Sequence, residues 1–578
     1  MNVEHLKTDI LILGAGGAGL FAALHALKAN PDLDITIVSK GLLGKCGCTR
    51  MVQGGYNVAL NPGDSIERHF MDTIEGGKWL PHQELAWTLV TKAIERVQEL
   101  ENEIGCFFDR NPDGTLHGKA FAGQTFDRTV HKGDLTGIEI INRLMEQVWA
   151  RPIRRLEEHR AVALIPAKDG ALSGALLIDV RSGAFRFVSA QAVLLATGGG
   201  PTMYRYHTPS GDKSMDGLAM ALRLGLPLRD MEMVQFHPTG LLAGPDTRMT
   251  GTVLEEGLRG SGGHLLNGAM HRFMGDYDPK LERATRDVVS RAIYAEMRAG
   301  RTTPNGGVYI KMGHLGPAKV AKEFKGMVDR CRDCGFDLAG GLVEVVPTAH
   351  YFMGGVVCAV DTTTECFGLF VAGEDASGMH GANRLGGNGV ANSTVFGGIA
   401  GDVMPRWIVT NPGHREPDTG VLDAELGRAQ HPFAQKQKPG DLNVLREKLL
   451  DSMWDEVGVV RDRASIERGL VALDRIEAEL LATSVADADR RFNLTWHDWL
   501  NLRSLCEISR VIALAALKRE NSRGAHFRSD FPEPGDFATS TFTVARQGAH
   551  GIEIGEQPVQ FTHVKPGETL LRDALAAE

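Results

Sequence analysis

The sequence predicts an α/β protein: a two-dinucleotide-fold, Rossmann-like domain with an inserted α+β capping domain, a C-terminal helical domain and a short β-containing tail. Three observations predict it. A strand, glycine turn, helix and strand follow one another over residues 8 to 40, and apolar runs ending at Gly198–Gly200 and Gly373 repeat the strand-then-glycine pattern. After Pro412 the texture changes to glycine-poor amphipathic periodicity.

Taken in order, Ile10-Leu11-Ile12-Leu13 reads as a buried strand, the glycines from Gly14 to Gly19 as a turn opening an Ala/Leu-rich helix, and Ile35-Thr36-Ile37-Val38 as the next strand. Residues 173 to 198 read as a hairpin feeding a second buried strand, and Leu369-Phe370-Val371-Ala372 as a third. The mixed segment 232 to 349 between them is expected to be an insertion. A polar connection spans 413 to 440, and helical periodicity runs through 440 to 520 (LREKLLDSMWDEV, ERGLVALDRIEAELLA). The last forty residues regain β-like alternation in STFTVARQG and PVQFTHVKPGE and end in a charged tail. The expected boundaries are 1–231 and 350–412 for the two parts of the nucleotide-binding domain, 232–349 for the cap, 413–535 for the helical domain and 536–578 for the tail.

Composition narrows the function. At 578 residues with 43% hydrophobic and 23% charged side chains, the chain is an ordinary globular one of several domains. A net charge of -9 argues against nucleic acid or a polybasic membrane contact, so an anionic substrate must be met by local arginines. No run of about 18 apolar residues is present to span a bilayer, and the apolar strand at Ile10 lacks the basic flank of a signal sequence. A cytoplasmic protein, peripheral to a membrane at most through partners, is expected. The eight cysteines are scattered and form neither a disulfide framework nor a metal or iron-sulfur cluster. The one CxxC, Cys331 to Cys334, reads as two free thiols, and no metal site is expected.

Gly14-x-Gly16-x-x-Gly19 lies where glycines let backbone N–H groups approach a pyrophosphate at a helix N-terminus. The acid that usually grips an adenosine ribose is replaced by Ser39-Lys40, which disfavours the common NAD-binding type. Ala196-Thr197-Gly198-Gly199-Gly200 and Gly368-Leu369-Phe370-Val371-Ala372-Gly373-Glu374 each follow a strand, the second presenting a carboxylate. The three segments together point to FAD.

Further motifs carry a resemblance. Gln235-Phe236-His237-Pro238-Thr239-Gly240, Glu256-Gly257-x-Arg259-Gly260, Arg286-Asp287-Val288-Val289, Pro347-Thr348-x-His350-Tyr351, His380-Gly381-Ala382-Asn383-Arg384 and Ser522-Arg523-Gly524-Ala525-His526-Phe527-Arg528-Ser529-Asp530 follow in order. In this the chain resembles the succinate dehydrogenase/fumarate reductase flavoprotein family over nearly its whole length. The resemblance implies hydride transfer between a flavin and a small, carboxylate-bearing substrate. It implies that His237, His350, Arg286 and Arg384 grip the substrate, with Arg286 as proton shuttle resupplied through Glu256 and Arg259. It also assigns Cys48, Thr49, Gln53, Gly54, Gly55, Asp216, Glu374, Arg384 and Asn388 to the cofactor, beside Gly14, Gly16, Gly19, Ser39, Lys40, Thr197 and Gly198.

The sequence departs from the family in two places. Before Gln53-Gly54-Gly55, Cys48 stands where succinate-oxidising members carry a histidine bonded to FAD, so histidyl-FAD is excluded and dissociable FAD is expected, with a cysteinyl link at Cys48 as the alternative. Losing that bond would lower the flavin potential and make succinate a poor donor. Glu255 stands where the family has threonine against a substrate carboxylate, and two carboxylates there would repel unless one were protonated or a cation intervened. The expected substrate is therefore not plain succinate: it carries an amino or hydroxyl group facing Glu255, or lacks one carboxylate, unless Glu255 turns away into a salt bridge. L-aspartate oxidase is the alternative, although Phe121-Ala122-Gly123-Gln124-Thr125 resembles the succinate/fumarate enzymes rather than the glutamate that aspartate oxidases place at Phe121. Three modes of action remain open: a subunit handing electrons to an iron-sulfur partner, a self-sufficient oxidase or reductase, and a non-catalytic flavin-binding scaffold. The oligomeric state is not legible.

Overall fold

The computed structural model describes residues 3–245, 247–434 and 440–571. Its largest sheet has seven strands in the order Arg154–Glu157, Ile35–Ser39, Glu4–Leu13, Phe185–Leu195, Leu172–Asp179 and His159–Pro166, with Leu369–Val371 also paired to Phe185–Leu195. Glu4–Leu13 lies parallel to both of its neighbours, and Ile10 to Leu13 are buried, as a parallel strand covered on both faces requires. Leu13 pairs with Val38 on one side and Leu195 on the other, and Leu195 pairs with Val371. The carboxyl ends of the glycine-terminated strands therefore finish level along one edge, where open α/β sheets bind ligands. The predicted hairpin is Leu172–Asp179 against Phe185–Leu195.

The helix Gly17–Ala29, opened by the glycine turn, lies along the long helix Asn388–Thr410. The approach is close: a Cβ on Gly401 would stand 2.4 Å from the Ala22 carbonyl oxygen. The second helix thus holds the first in place over the sheet.

The insertion is stapled at its base. Leu228–Arg229 on the way in pairs antiparallel with Gly355–Val356 on the way out. Beyond that staple, Val234–Leu241, Leu342–Phe352, Val308–Lys311 and His264–Leu266 form a four-stranded antiparallel sheet. It has an apolar core of its own, to which the helix Arg286–Arg298 contributes Val289 and Ile293. The returning strand runs on to Phe352, three residues past the boundary at 349 expected from sequence.

The helical region comprises Thr419–Ala434, Leu442–Glu456, Arg463–Ala482 and Leu494–Lys518. Asp462 starts the third with a reciprocal capping box to Ser465, which satisfies two otherwise orphaned N–H groups. Thr419–Ala434 lies inside what reads as a polar connection. Its Leu422, Leu426, Ala429 and Phe433 recur at helical spacing and pack on the core, so one apolar stripe suffices. Residues 435–439 of that connection lie outside the described residues.

Thr541–Gly548 pairs with Leu228–Arg229 and with Gly551–Pro558, so the tail completes the sheet at the base of the cap. The second alternating run, PVQFTHVKPGE, is not a strand. The tight turn at Ala549-His550 sets Gly548 against Gly551 and places the return strand earlier, and Pro558 ends it. Val559 and Val564 of that run are instead buried anchors, the Val564 carbonyl accepting from Gln83 Nε2 at 2.7 Å. The charged end of the tail, residues 572–578, lies outside the described residues. Among the described residues, no helix is long and apolar enough to cross a membrane.

Candidate active site

A cavity of about 520 Å³ opens along the level strand ends and runs beneath the cap. That size lies within the range of ligand sites, roughly 300–1,000 Å³. At one end Gly14 has φ +116°, and a Cβ there would sit 2.0 Å from the Ala196 carbonyl oxygen. Only glycine fits, and the turn delivers Gly16 and Gly17 to the cavity wall at the N-terminus of a thirteen-residue helix. The Gly17 N–H donates to Thr49 Oγ1 at 3.0 Å, tying the segment around Cys48 to this turn. Gly19 does not reach the wall. A Cβ there would lie 2.0 Å from the Gly14 carbonyl oxygen, so its part is helix-to-strand contact.

The site otherwise occupied by a ribose-binding acid is organised around Lys40. Its Nζ donates to Asn501 Oδ1 at 2.7 Å, the Asp212 carbonyl at 2.7 Å, Ser214 Oγ at 3.1 Å and Asp216 Oδ2 at 3.2 Å. Burial, with Arg160 adding to it, brings the Lys40 amine down to about 8. Asp216 also pairs with Arg160 Nη2 at 2.6 Å, and although burial opposes ionisation, Arg160 and Lys40 hold its carboxyl well below the ordinary range. Asn501 lies on Leu494–Lys518, so the helical domain backs this end through Lys40.

Along the middle, Asp375 accepts from Thr197 Oγ1 and the Gly198 N–H, both at 3.0 Å, while Glu374 Oε1 accepts from the Phe352 N–H at 2.9 Å. Burial raises Glu374 to about 7 and Asp375 to about 6. Glu374 lines the cavity, where the Phe352 N–H and the charges of Arg384 and Lys213 only partly offset its burial, as for a group that receives ligand hydroxyls. Gln53 Oε1, also on the cavity wall, is buried with no hydrogen-bond partner among the described residues. Burial pushes the Cys48 thiol up to about 12, against the pull of Lys213. The glycine cradle, the Glu374 carboxyl and the orphaned Gln53 amide oxygen fit an FAD laid from Ser39 to Gly54.

Under the cap the cavity becomes cationic. Glu256 is the hub: Oε2 accepts from Arg286 Nε at 2.9 Å and Nη2 at 2.5 Å, and Oε1 accepts from Arg259 Nη2 at 3.1 Å. Burial works to protonate this carboxyl, but the two guanidiniums outweigh it and hold it below its ordinary value. Arg286 Nη1 donates to Gln235 Oε1 at 3.0 Å, so three of its nitrogens are fixed. Arg384 lies over the Tyr351 ring at 4.2 Å with its Nε unpartnered, and burial together with the Arg286 charge lowers it to about 10.

The rings of His237 and His350 stand 5.3 Å apart. Burial, reinforced by Arg286, keeps both well below the ordinary histidine value and hence neutral. His237 Nδ1 accepts from the Thr239 N–H at 3.3 Å, which places its proton on Nε2. His350 Nδ1 lies 2.8 Å from Thr208 Oγ1. Phe121 fills the space that glycines leave: a Cβ on Gly54 would come within 2.5 Å of Phe121 Cζ.

Of the residues singled out from sequence, all but Gly19, Arg259 and Asn388 line this cavity. Arg259 acts from behind Glu256. Asn388 turns its side chain away, its Oδ1 receiving Asn57 Nδ2 at 2.8 Å and lying 2.9 Å from His69 Nε2. Glu255 does both things that its position allowed. It lines the cavity and pairs through Oε1 with Lys119 Nζ at 2.6 Å. Cys331 is buried and Cys334 half-buried, and both are free thiols. Sequence reasoning missed Gln235 as the third anchor of Arg286, although it stands in the motif with His237. It also missed Lys119, Lys213 and Arg330, lone cations that carry no pattern. Among the described residues, no group of three or more His, Cys, Asp or Glu could hold a metal ion.

The family model for the FAD binding domain matches residues 9–390, and the model for the fumarate reductase flavoprotein C-terminal region matches 446–570. The chain is 39% identical over 537 residues to a component chain of the fumarate reductase (CoM/CoB) of Methanothermobacter marburgensis, covering 92% of this chain and 96% of that one. It is 33% identical over 587 residues to the fumarate reductase flavoprotein subunit of Escherichia coli, covering 98% and 96%. A structure of the E. coli quinol fumarate reductase flavoprotein superposes with a TM-score of 0.92 at 32% identity, covering 98% of this chain and 99% of that one. Sdh1 of Mycobacterium smegmatis superposes at 0.86 and 34% identity, covering 98% and 96%.

Proposed function

Because this chain belongs to the succinate dehydrogenase/fumarate reductase flavoprotein family of FAD-dependent oxidoreductases, we propose that it interconverts a saturated and an unsaturated C4 carboxylic acid, with Arg286 moving the proton. The observation that carries this reading is the Arg286–Glu256–Arg259 chain beside Arg384, which makes no salt bridge among the described residues. FAD, held by the glycine turn, Glu374 and the Gln53 segment, supplies the two-electron redox chemistry when bound.

Arg384 and His350 bind a substrate carboxylate through charge-assisted hydrogen bonds, and His237 offers its Nε2 proton. Arg286, fixed at Nε, Nη1 and Nη2, presents a proton in one orientation instead of sweeping through rotamers. A guanidinium is a weak acid, so the proton it gives up must be replaced at once. Glu256, ionised and bonded to both arginines, is the group through which Arg259 returns it.

We propose dissociable FAD, because a thiol at about 12 carries little of the thiolate that a cysteinyl link requires. Electrons are proposed to pass to or from an iron-sulfur partner, a reading that the likeness to flavoprotein subunits of fumarate reductases supports. The eight cysteines stand as free thiols, which supports placement in a reducing compartment such as the cytoplasm. The second reading, oxidation of an amino-dicarboxylate, draws on Glu255 as a carboxylate on the cavity wall. Lys119 neutralises that carboxylate and favours the first reading.

The test is anaerobic flavin spectroscopy on the purified holoenzyme. Saturated C4 acids, aspartate included, are offered to the oxidised protein, and their 2-enoic counterparts to the reduced one. Exchange of electrons with a saturated/unsaturated pair is expected. A flavin inert to all of them excludes the proposal, and bleaching by aspartate alone transfers it to the second reading.

A further inference from the structure

The substrate end of the cavity is not cationic all round. Arg384, Arg286 and His350 supply donors on one side, whereas Glu255 contributes an acceptor, its side chain only 1% exposed. Lys119 fixes it there. The ammonium donates to Glu255 Oε1 at 2.6 Å and to the Gly133 carbonyl at 2.7 Å, so its position is set independently of the glutamate. The Glu255 main chain is pinned as well, its N–H directed at Met327 Sδ at 3.5 Å and the preceding Leu254 N–H at the Thr239 carbonyl at 2.8 Å. Oε2 takes no hydrogen bond among the described residues.

Two consequences follow from this placement. An ion pair is neutral overall, so it offers no net charge to a substrate ammonium. Burial raises the Glu255 carboxyl and the Lys119 ammonium opposes that rise; held ionised by Lys119, the open oxygen is an acceptor that a second substrate carboxylate would face oxygen to oxygen. A hydroxyl or a primary amide would instead donate to it, and a buried acceptor left unpaired costs more than one that is satisfied. We propose that Glu255, positioned by Lys119, is a specificity-determining residue that selects a C4 monocarboxylate whose far end bears an uncharged hydrogen-bond donor, in preference to a dicarboxylate.

This rests on the redox reaction proposed above and names its substrate class. In the reductive direction two equivalents of reduced methyl viologen supply one electron each and solvent two protons, which together add two hydrogens across the carbon-carbon double bond. The experiment compares kcat/KM for fumarate and for its monoamide on the holoenzyme, its flavin content checked by absorbance. The variants are Glu255→Thr, Glu255→Gln, Lys119→Met and Lys119→Arg.

The wild type is expected to prefer the monoamide by at least about tenfold. Glu255→Thr should reverse that order, and Glu255→Gln should narrow it. Lys119→Met should weaken the preference and Lys119→Arg restore it, which loss of packing alone would not produce. Preference of the wild type for fumarate, or a ratio that stays within twofold in Glu255→Thr, overturns this inference alone. If neither acid is reduced by any flavin-loaded form, the redox reading fails and this inference with it.

Discussion

Glu256 is bonded to Arg286 on one oxygen and Arg259 on the other, and everything proposed for proton movement turns on that carboxylate staying ionised in a buried place. Arg286→Lys removes the planar fork that reaches Glu256 and Gln235 together. Turnover should fall by about 10²- to 10⁴-fold, while flavin absorbance and the melting temperature change little. At Cys48 the expectation is release: acid precipitation of the purified protein should leave a colourless pellet and a yellow supernatant, because a half-buried thiol that desolvation pushes up to about 12 stays protonated. A yellow pellet would mean a covalent bond. These residues were legible in sequence because each sits in a motif with fixed neighbours. Lys119 was not, since a lone lysine twelve residues before His131 carries no sign that it will meet Glu255, 136 positions away.

At the scale of elements, three helices meet at one histidine. His25 on Gly17–Ala29 places Nδ1 2.9 Å from Asp402 on Asn388–Thr410 and Nε2 3.0 Å from Glu99 on Gln83–Glu99. Burial opposes its charge, but the two carboxylates outweigh burial and raise its pKa above the ordinary 6.5. A raised value in the folded state means that the stabilisation is complete below pH 6.5 and is lost as pH climbs through the folded value. His25→Gln should therefore cost about 1–3 kcal/mol at pH 6, and the gap to wild type should close in alkaline buffer, measured by urea unfolding. A gap independent of pH would show that packing, not charge, is what His25 contributes. The helix itself was readable from its Ala/Leu run after glycine. Its partner Asn388–Thr410 was not, because its many small residues, Gly397 and Gly401 among them, make sense only once another backbone lies against them.

Across the whole molecule, the cavity is walled by the nucleotide-binding sheet and by the cap through His237 and Arg286, and the helical domain stands behind the wall, where Asn501 anchors the lining residue Lys40. A ligand filling it bridges the first two and bears on the third through Lys40, and should couple their unfolding. FAD at about a thousand times its dissociation constant should stabilise the chain by about 4 kcal/mol, seen as one cooperative calorimetric transition that moves up on adding FAD. Separate transitions of which only one responds would contradict that coupling. The staple of Leu228–Arg229 on Gly355–Val356, joined by Thr541–Gly548, explains why the cap can be inserted without loosening the site.

Local sequence by itself determined the strand ends, the glycine turns, the family motifs and the cofactor, because strand periodicity and the steric demands of a turn are settled within a few residues. Tertiary structure alone decided what Glu255 faces, which nitrogens hold Arg286, where the return strand after Gly548 begins, and that Asn388 looks away from the cavity. Those depend on charges and hydrogen bonds between residues far apart in the chain. Their strength is set by burial, which no stretch of sequence fixes before the fold has closed around it.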